Sequence, residues 1–200
     1  MKETIRLPKT KAGNNSFLKI IETAKELFAK KGYQSTSINE IIRDANIATG
    51  TLYKYFDDKR AVYDYLLADY SKKIRSRISD AISNHQTRYE KERIGLKTFI
   101  EFAIEDKLSY RLIWESLFVE KELFIQYYKN FSASYMKQLE TAVTNQEIDQ
   151  NIDLETLSFV LMGISNFVGL QVVFKENIST DELDYITDQV MYILKNGIFK

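Results

Sequence analysis

The sequence predicts an all-α fold, with a small N-terminal helix-turn-helix domain and a larger C-terminal helical domain. The 200 residues include one proline and seven glycines, which are too few turn-forming residues for a sheet-rich fold. Apolar residues recur every three or four positions along most of the chain, which is the period of an amphipathic helix. We expect a flexible N-terminal arm over residues 1–15, the first domain over 16–60 and the second over 61–200.

The first two helices follow from local signals. An apolar stripe predicts a helix over residues 16–31, and Gly32 follows as a C-terminal stop. A second helix begins at Ser37, which is spaced from Glu40 as in a capping box, and extends to about Ala45.

A third helix, over residues 49–56, follows a short turn at Asn46. Two short helices joined by a tight turn are typical of a helix-turn-helix, whose second helix enters the major groove of DNA. Leu52 and Phe56 would anchor its inner side. The outward or flanking residues are then Thr49, Gly50, Thr51, Tyr53, Lys54 and Tyr55. Alternatively, Tyr53 and Tyr55 are half-buried packing residues.

The fourth helix is predicted from Lys59, after a cap at Asp58, to about residue 84. Lys59 adds a positive charge near the N-terminus of this helix, where a phosphate could bind. After a polar stretch, helical periodicity resumes at Ile94. Further helices are predicted over residues 110–118, 122–145, 154–175 and 180–196.

The charge distribution divides the chain in the same way. Residues 1–60 hold 12 Lys and Arg against 7 Asp and Glu, a net charge of +5, and residues 61–200 have a net charge of −5. A basic first third is typical of a nucleic-acid surface, although a solvated basic face is the simpler alternative.

The composition argues against most catalytic chemistry. The sequence has no cysteine, a single histidine (His85) and no glycine-rich phosphate loop. An enzyme would have to use scattered carboxylates such as Glu101, Glu105 and Asp106. We therefore expect a cytoplasmic protein that is not an enzyme and that has no metal and no cofactor.

The uncharged run over residues 156–174 is about long enough to span a membrane. It contains several polar residues and has no second span beside it, so we expect a helix buried in protein and no membrane contact. Burial against a second subunit would explain its apolar character and its glycines, and the last helix would share that interface. The expected dimer contacts are Phe159, Met162, Gly163, Asn166, Phe167, Leu170, Ile186, Val190 and Ile193.

Residues 17–66 resemble the N-terminal domain of the tetracycline-repressor (TetR) family of bacterial transcriptional regulators. The resemblance is carried by apolar positions of the first two helices, by Gly32 and Tyr33, by the run from Gly50 to Phe56 and by Lys59. It implies that DNA is contacted by Ser37, Asn39, Thr49, Gly50, Thr51, Tyr53, Tyr55 and Lys59. Ala48 and Asn46 depart from the family pattern, which commonly has a capping serine and a glycine there.

The resemblance also implies that the second domain binds a small ligand. Aromatic residues are concentrated in three of its helices, and a pocket lined by them would suit a hydrophobic or aromatic effector. The candidate lining residues are Phe102, Trp114, Phe118, Tyr127 and Phe131, although such aromatics are usually core. Glu115 or Tyr135 could orient a polar end of the ligand.

Together these observations indicate a homodimeric repressor that binds a pseudopalindromic operator in double-stranded DNA. A small effector would bind the second domain, move the long fourth helix and lower operator affinity. The alternative is a DNA-binding protein of the same type without an effector, acting through a protein partner or as a structural DNA binder.

Overall fold

The computed structural model describes residues 5–175 and 177–198, and these residues form nine α-helices. Their bounds are α1 Lys11–Lys31, α2 Ile38–Asp44, α3 Thr49–Tyr53, α4 Lys59–Ile82, α5 Arg88–Glu105, α6 Lys107–Val119, α7 Lys121–Thr144, α8 Leu154–Val173 and α9 Thr180–Asn196. The prediction of an all-α fold is therefore confirmed.

Side-chain caps fix most of the helix starts. Glu40 N donates to Ser37 Oγ at 3.2 Å and Ser37 N donates to the Glu40 carboxylate at 2.9 Å, so the predicted capping box of α2 is formed. Asp58 accepts from Ala61 N at 2.8 Å at the start of α4. Asp153 caps α8 and Ser179 caps α9, each by accepting from a backbone N–H of the first turn.

Helices α1 and α5 begin five or six residues earlier than predicted. Thr10 caps α1 by accepting from Gly13 N at 3.1 Å, so α1 begins at Lys11 and includes residues that the sequence assigns to the arm. Residues 1–4 of that arm lie outside the described residues. Helix α5 begins at Arg88 because Thr87 and Glu90 form a second capping box, six residues before the predicted restart at Ile94.

The chain divides into two compact units, and the division differs from the predicted boundary at residue 60. The first unit contains residues 1–72 and 108–125, and the second contains residues 73–107 and 126–200. Helix α6 thus belongs to the same unit as α1, α2 and α3. Two contacts explain this grouping: Tyr63 Oη donates to Leu112 O at 2.9 Å, and Arg60 pairs with Glu120 at 2.9 Å.

In the second unit, α5 packs against α8 and α9. Arg93 and Lys97 on α5 pair with Asp184 on α9 at 3.3 and 2.6 Å. Helix α7 is joined to α8 by a buried bond of 2.7 Å between Ser132 Oγ and Ser158 Oγ. Helices α5, α7, α8 and α9 therefore all contribute to the packing of this unit.

Candidate nucleic-acid interface

Helix α3 is held by its inner side. Leu52 and Phe56 are fully buried, as predicted, and the Phe56 ring stacks on Phe17 of α1 with centroids 5.1 Å apart. Asn46, in the turn before α3, has a φ of 51°, a left-handed conformation that asparagine tolerates better than most residues. The helix has no side-chain N-cap, because Ala48 occupies the cap position. Tertiary packing therefore fixes this five-residue helix.

The opposite side of α3 is open. Thr49, Gly50 and Lys54 are exposed, Tyr53 is 44% exposed and Thr51 is half-buried. A Cβ atom added to Gly50 would find no atom within 4 Å, so a duplex could approach the backbone closely. This side presents hydroxyls, an aromatic ring and an ammonium group, which are the groups that contact phosphates and base edges.

The N-terminal end of α2 borders the same surface. Ser37 and Asn39 are exposed, and the Ser37 hydroxyl is engaged in the capping box. An open depression of about 390 Å³ lies here, and its lining joins α2 to the end of α3. It is lined by residues 34–38, Tyr53, Asp57, Asp58 and Lys59.

The structure corrects the outward placement of Tyr55. Its ring is 2% exposed and meets the Phe17 ring edge-on, with centroids 5.5 Å apart. Tyr55 follows the buried Leu52 by three residues, and Phe56 N donates to Leu52 O at 3.0 Å, so the helical turn continues here and puts Tyr55 on the same side as Leu52. Tyr55 is a packing residue of the domain core.

The ammonium group of Lys59 is turned inward. Lys59 Nζ donates to Tyr33 O at 2.8 Å and to Thr36 O at 2.7 Å, and it lies 4.2 Å from the centroid of the Tyr33 ring. Burial lowers the pKa of this amine. Lys59 therefore stabilises the loop between α1 and α2, whereas the sequence predicts a phosphate contact for its ammonium group.

Glu115, on α6, holds the same loop. Tyr33 N donates to Glu115 Oε1 at 2.8 Å, and the other carboxylate oxygen is buried without a hydrogen-bond partner in the described part of the chain. The carboxylate thus holds the loop, whereas the sequence suggests it as a ligand contact. The two residues are 82 positions apart, so no local pattern indicates this contact.

The N-terminal segment is attached to the end of α3. Ile5 forms an isolated antiparallel β-bridge with Phe56, and Arg6 N donates to Tyr55 O at 2.8 Å. The Arg6 guanidinium donates to Tyr53 O at 3.2 Å and pairs with Asp57. Residues 5 and 6 of the predicted flexible arm are therefore held against the candidate interface.

The five candidate effector-contacting residues are divided between the two units. Trp114 and Phe118 lie on α6 in the first unit, where Trp114 is half-buried and Phe118 is 83% exposed. In the second unit, Phe102 is buried with the Arg77 guanidinium 5.6 Å from its ring centroid. Tyr127 and Phe131 are half-buried neighbours on α7, with ring centroids 6.4 Å apart.

A buried polar cluster joins α5 to α7 in the second unit. Arg88 is 6% exposed and pairs with Glu92, which also accepts a bond from Tyr135 Oη. Burial and the nearby Glu92 carboxylate raise the pKa of Tyr135 well above its ordinary value. Within residues 5–175 and 177–198, no group of three His, Cys, Asp or Glu side chains could hold a metal ion.

The expected dimer residues divide into outward and inward groups. On α8, Phe159 and Phe167 are 42% and 68% exposed, and Ile193 on α9 is 44% exposed. Gly163, Leu170 and Ile186 are half-buried. Met162, Asn166 and Val190 are instead buried within the protomer, and Asn166 donates to Met162 O at 2.7 Å. These three residues are therefore removed from the expected contact surface.

Helix α8 is long and apolar enough to cross a membrane by length and composition alone, and about a third of its apolar stretch is buried within the protein. The exposed apolar residues of α8 contribute to this composition, and they are Phe159, Val160 and Phe167.

The comparison with known families identifies the first domain. Residues 20–66 match the model of bacterial regulatory proteins of the tetR family. The chain is similar to an uncharacterized HTH-type transcriptional regulator of Bacillus subtilis, YuxN, with 28% identity over 150 residues, which is 75% of this chain. The aligned region spans 45% of the length of YuxN, so the chain covers about half of that relative.

Two further comparisons concern a repressor and a solved structure. IcaR of Staphylococcus aureus, a negative transcriptional regulator of the biofilm operon icaADBC, is 41% identical over 46 residues, 23% of this chain and 25% of IcaR. The fold is also that of the transcriptional regulator FadR from Bacillus subtilis, solved in complex with stearoyl-CoA. The TM-score is 0.74 at 18% identity, over 92% of this chain and all of FadR.

Proposed function

Because the chain belongs to the tetR family of bacterial regulatory proteins, we propose that it is a cytoplasmic repressor that leaves its operator when a hydrophobic effector binds. The observation that carries this proposal is the two-sided character of α3. Leu52, and Phe56 just past the end of the helix, are fully buried, whereas Thr49, Gly50 and the C-cap residue Lys54 are exposed. A five-residue helix with an open polar side and a fixed inner side suits insertion into the major groove.

We infer that the functional form is a homodimer that uses the outward side of α8 and α9. Phe159 and Phe167 on α8, and Tyr185 and Tyr192 on α9, are each at least 42% exposed. Exposed apolar residues of this size are costly in water, and a second copy of the same helices would cover them in a four-helix bundle. A twofold dimer would place two α3 helices about 34–36 Å apart on a pseudopalindrome.

The effector is proposed to be a hydrophobic compound. Support comes from the run of aromatic residues on α7, where Tyr127, Phe131 and Tyr135 follow one another with ring centroids 6.4 Å apart. The FadR structure with the same fold was solved with stearoyl-CoA, which makes long-chain acyl-CoA thioesters the first compounds to test.

We propose that the signal reaches the DNA-binding helices through α6. Trp114, a candidate effector contact, is next to Glu115, which accepts the bond from Tyr33 N. A shift of α6 would therefore act on the loop that leads into α2. Effector binding must favour one position of α6 over another for this coupling to change operator affinity.

The test is a selection of genomic fragments by the purified protein, followed by addition of stearoyl-CoA, free stearate or CoA. We expect a bound fragment to be released by one of the acylated compounds and not by CoA. Trp114 is the single tryptophan, so its fluorescence reports binding to the protein independently of DNA release. A fragment that stays bound although a compound changes the Trp114 signal would contradict the release mechanism.

A further inference from the structure

We propose that residues 5–11 form a second DNA-contacting element, in which Lys9 and Lys11 bind the phosphate backbone beside the groove that α3 enters. The proposal rests on the operator binding proposed above and adds a surface outside the helix-turn-helix. The segment carries three basic residues, Arg6, Lys9 and Lys11, and no acidic residue.

The anchoring of this segment fixes its position relative to α3. Its backbone is hydrogen-bonded to the residues that follow α3. Ile5 forms a β-bridge with Phe56, and Arg6 N donates to Tyr55 O at 2.8 Å. The Arg6 side chain reaches Tyr53 O, at the last residue of α3, and the Asp57 carboxylate. All of these contacts are made to residues 53–57, at and just after the C-terminal end of α3. They therefore hold the N-terminal segment next to the proposed DNA-reading helix.

The first turn of α1 continues the same arrangement. A Cβ atom added to Gly13 would lie 2.9 Å from Tyr55 Oη, so this turn touches the end of the Tyr55 side chain. Lys54 Nζ lies 5.6 Å from the centroid of the same ring. Lys11, the first residue of α1, belongs to this turn and is exposed.

The two lysines are available for a phosphate. Both side chains are exposed, and neither forms an ion pair with a carboxylate of the described residues. Arg6, by contrast, forms an ion pair with Asp57. This pair also neutralises the Asp57 carboxylate, which would otherwise repel the DNA backbone. Arg6 is thus a positioning residue, and the expected DNA contacts are the lysine ammonium groups.

The experiment measures operator affinity across a salt series, with the fragment selected by the wild-type protein. Each lysine that neutralises a phosphate contributes about 0.9 to the slope of log K against log salt. The proposed dimer carries four such lysines, so we expect the Lys9→Gln/Lys11→Gln variant to have a slope shallower by about 3.6 and an affinity about 100- to 1,000-fold weaker near 0.15 M salt. Lys129→Gln/Lys137→Gln is the control, because it removes two exposed lysines from α7.

Arg6→Gln tests the anchoring. We expect it to lower the slope as the double lysine variant does, with an unchanged helical content by circular dichroism. A slope equal to that of the control in the Lys9→Gln/Lys11→Gln variant would overturn the proposal, and an unchanged slope in Arg6→Gln would overturn the role of Arg6. Failure of the wild-type protein to bind any specific fragment would instead overturn the proposed function.

Discussion

Tyr33 donates its backbone N–H to Glu115 Oε1 at 2.8 Å, and this bond ties the loop between α1 and α2 to α6. Lys59, at the start of α4, holds the same loop by donating to Tyr33 O and Thr36 O. The loop that leads into the helix-turn-helix is therefore fixed by one side chain from α4 and one from α6. This arrangement makes the position of α6 a determinant of the geometry of the DNA-binding helices.

Replacing Glu115 by alanine should weaken both the fold and the operator complex. The Tyr33 N–H would lose its acceptor in a half-buried position, at a cost of about 1 kcal/mol in the free energy of unfolding. Glu115→Gln keeps an acceptor oxygen and should cost less. Urea unfolding and operator binding would be measured for both variants, with Glu140→Ala, at an exposed position on α7, as the control. Equal stability of the Glu115→Ala and Glu140→Ala variants would contradict the role of this bond.

Gly32 should be more sensitive to substitution than Gly197, although both glycines end helices with a positive φ, of 81° and 77°. Such backbone angles cost a residue with a Cβ atom about 1–3 kcal/mol. At Gly32 the added Cβ would also lie 3.1 Å from Glu115 Oε1, whereas nothing lies within 4 Å of it at Gly197. Thermal unfolding should show the larger loss of stability for Gly32→Ala. The reverse order would show that the Glu115 contact does not constrain this turn.

The acid sensitivity of the first domain should depend on Glu40. Its hydrogen bond with Lys31, and then those with Ser37, lower the pKa of the Glu40 carboxyl from 4.5 to about 2. Because the folded-state pKa is depressed, the stabilisation is complete above about pH 4.5 and is lost as the pH falls towards 2. Glu40→Gln should therefore flatten the melting temperature against pH between these values. The control is Glu26→Gln, an exposed position on α1, which should leave the curve parallel to wild type.

Introducing a charge on the outward side of α8 should dissociate the proposed dimer. Phe167 is 68% exposed in the protomer, and a glutamate there would be buried in an apolar interface without a partner. Light scattering at micromolar concentration should give the mass of a dimer for wild type and of a monomer for Phe167→Glu. Leu18→Glu, at a 48% exposed position on α1, should stay dimeric. A monomeric wild type would contradict the proposed assembly.

The sequence predicts helices well where local signals mark both ends. Helix α9 spans residues 180–196 as predicted, because Ser179 caps its start and Gly197 ends it. The helical period does not predict the start of α5, although Thr87 and Glu90 have the same spacing as the capping box of α2. That local signal lies in a polar stretch without an apolar stripe, so periodicity alone does not reveal it.

The candidate site is predictable in part from the helical period. Leu52 is buried and Tyr53 exposed as expected, whereas Tyr55, three residues after Leu52, lies on the buried side and not on the outward side. The contacts of Arg6 with Asp57 and of Glu115 with Tyr33 join residues 51 and 82 positions apart. No short-range pattern encodes such pairs, since they depend on how the helices pack.

The central claim is that the exposed side of α3 reads DNA, and the most direct measurement is a footprint of the selected operator with two tyrosine variants. Tyr53→Ala removes an exposed ring and should weaken protection of a pseudopalindrome at least tenfold without changing thermal stability. Tyr55→Ala removes a buried ring and should cost about 3–5 kcal/mol of stability, by analogy with buried aromatic side chains. Protection that is unchanged in a stable Tyr53→Ala variant, or wild-type binding without sequence preference, would contradict the account.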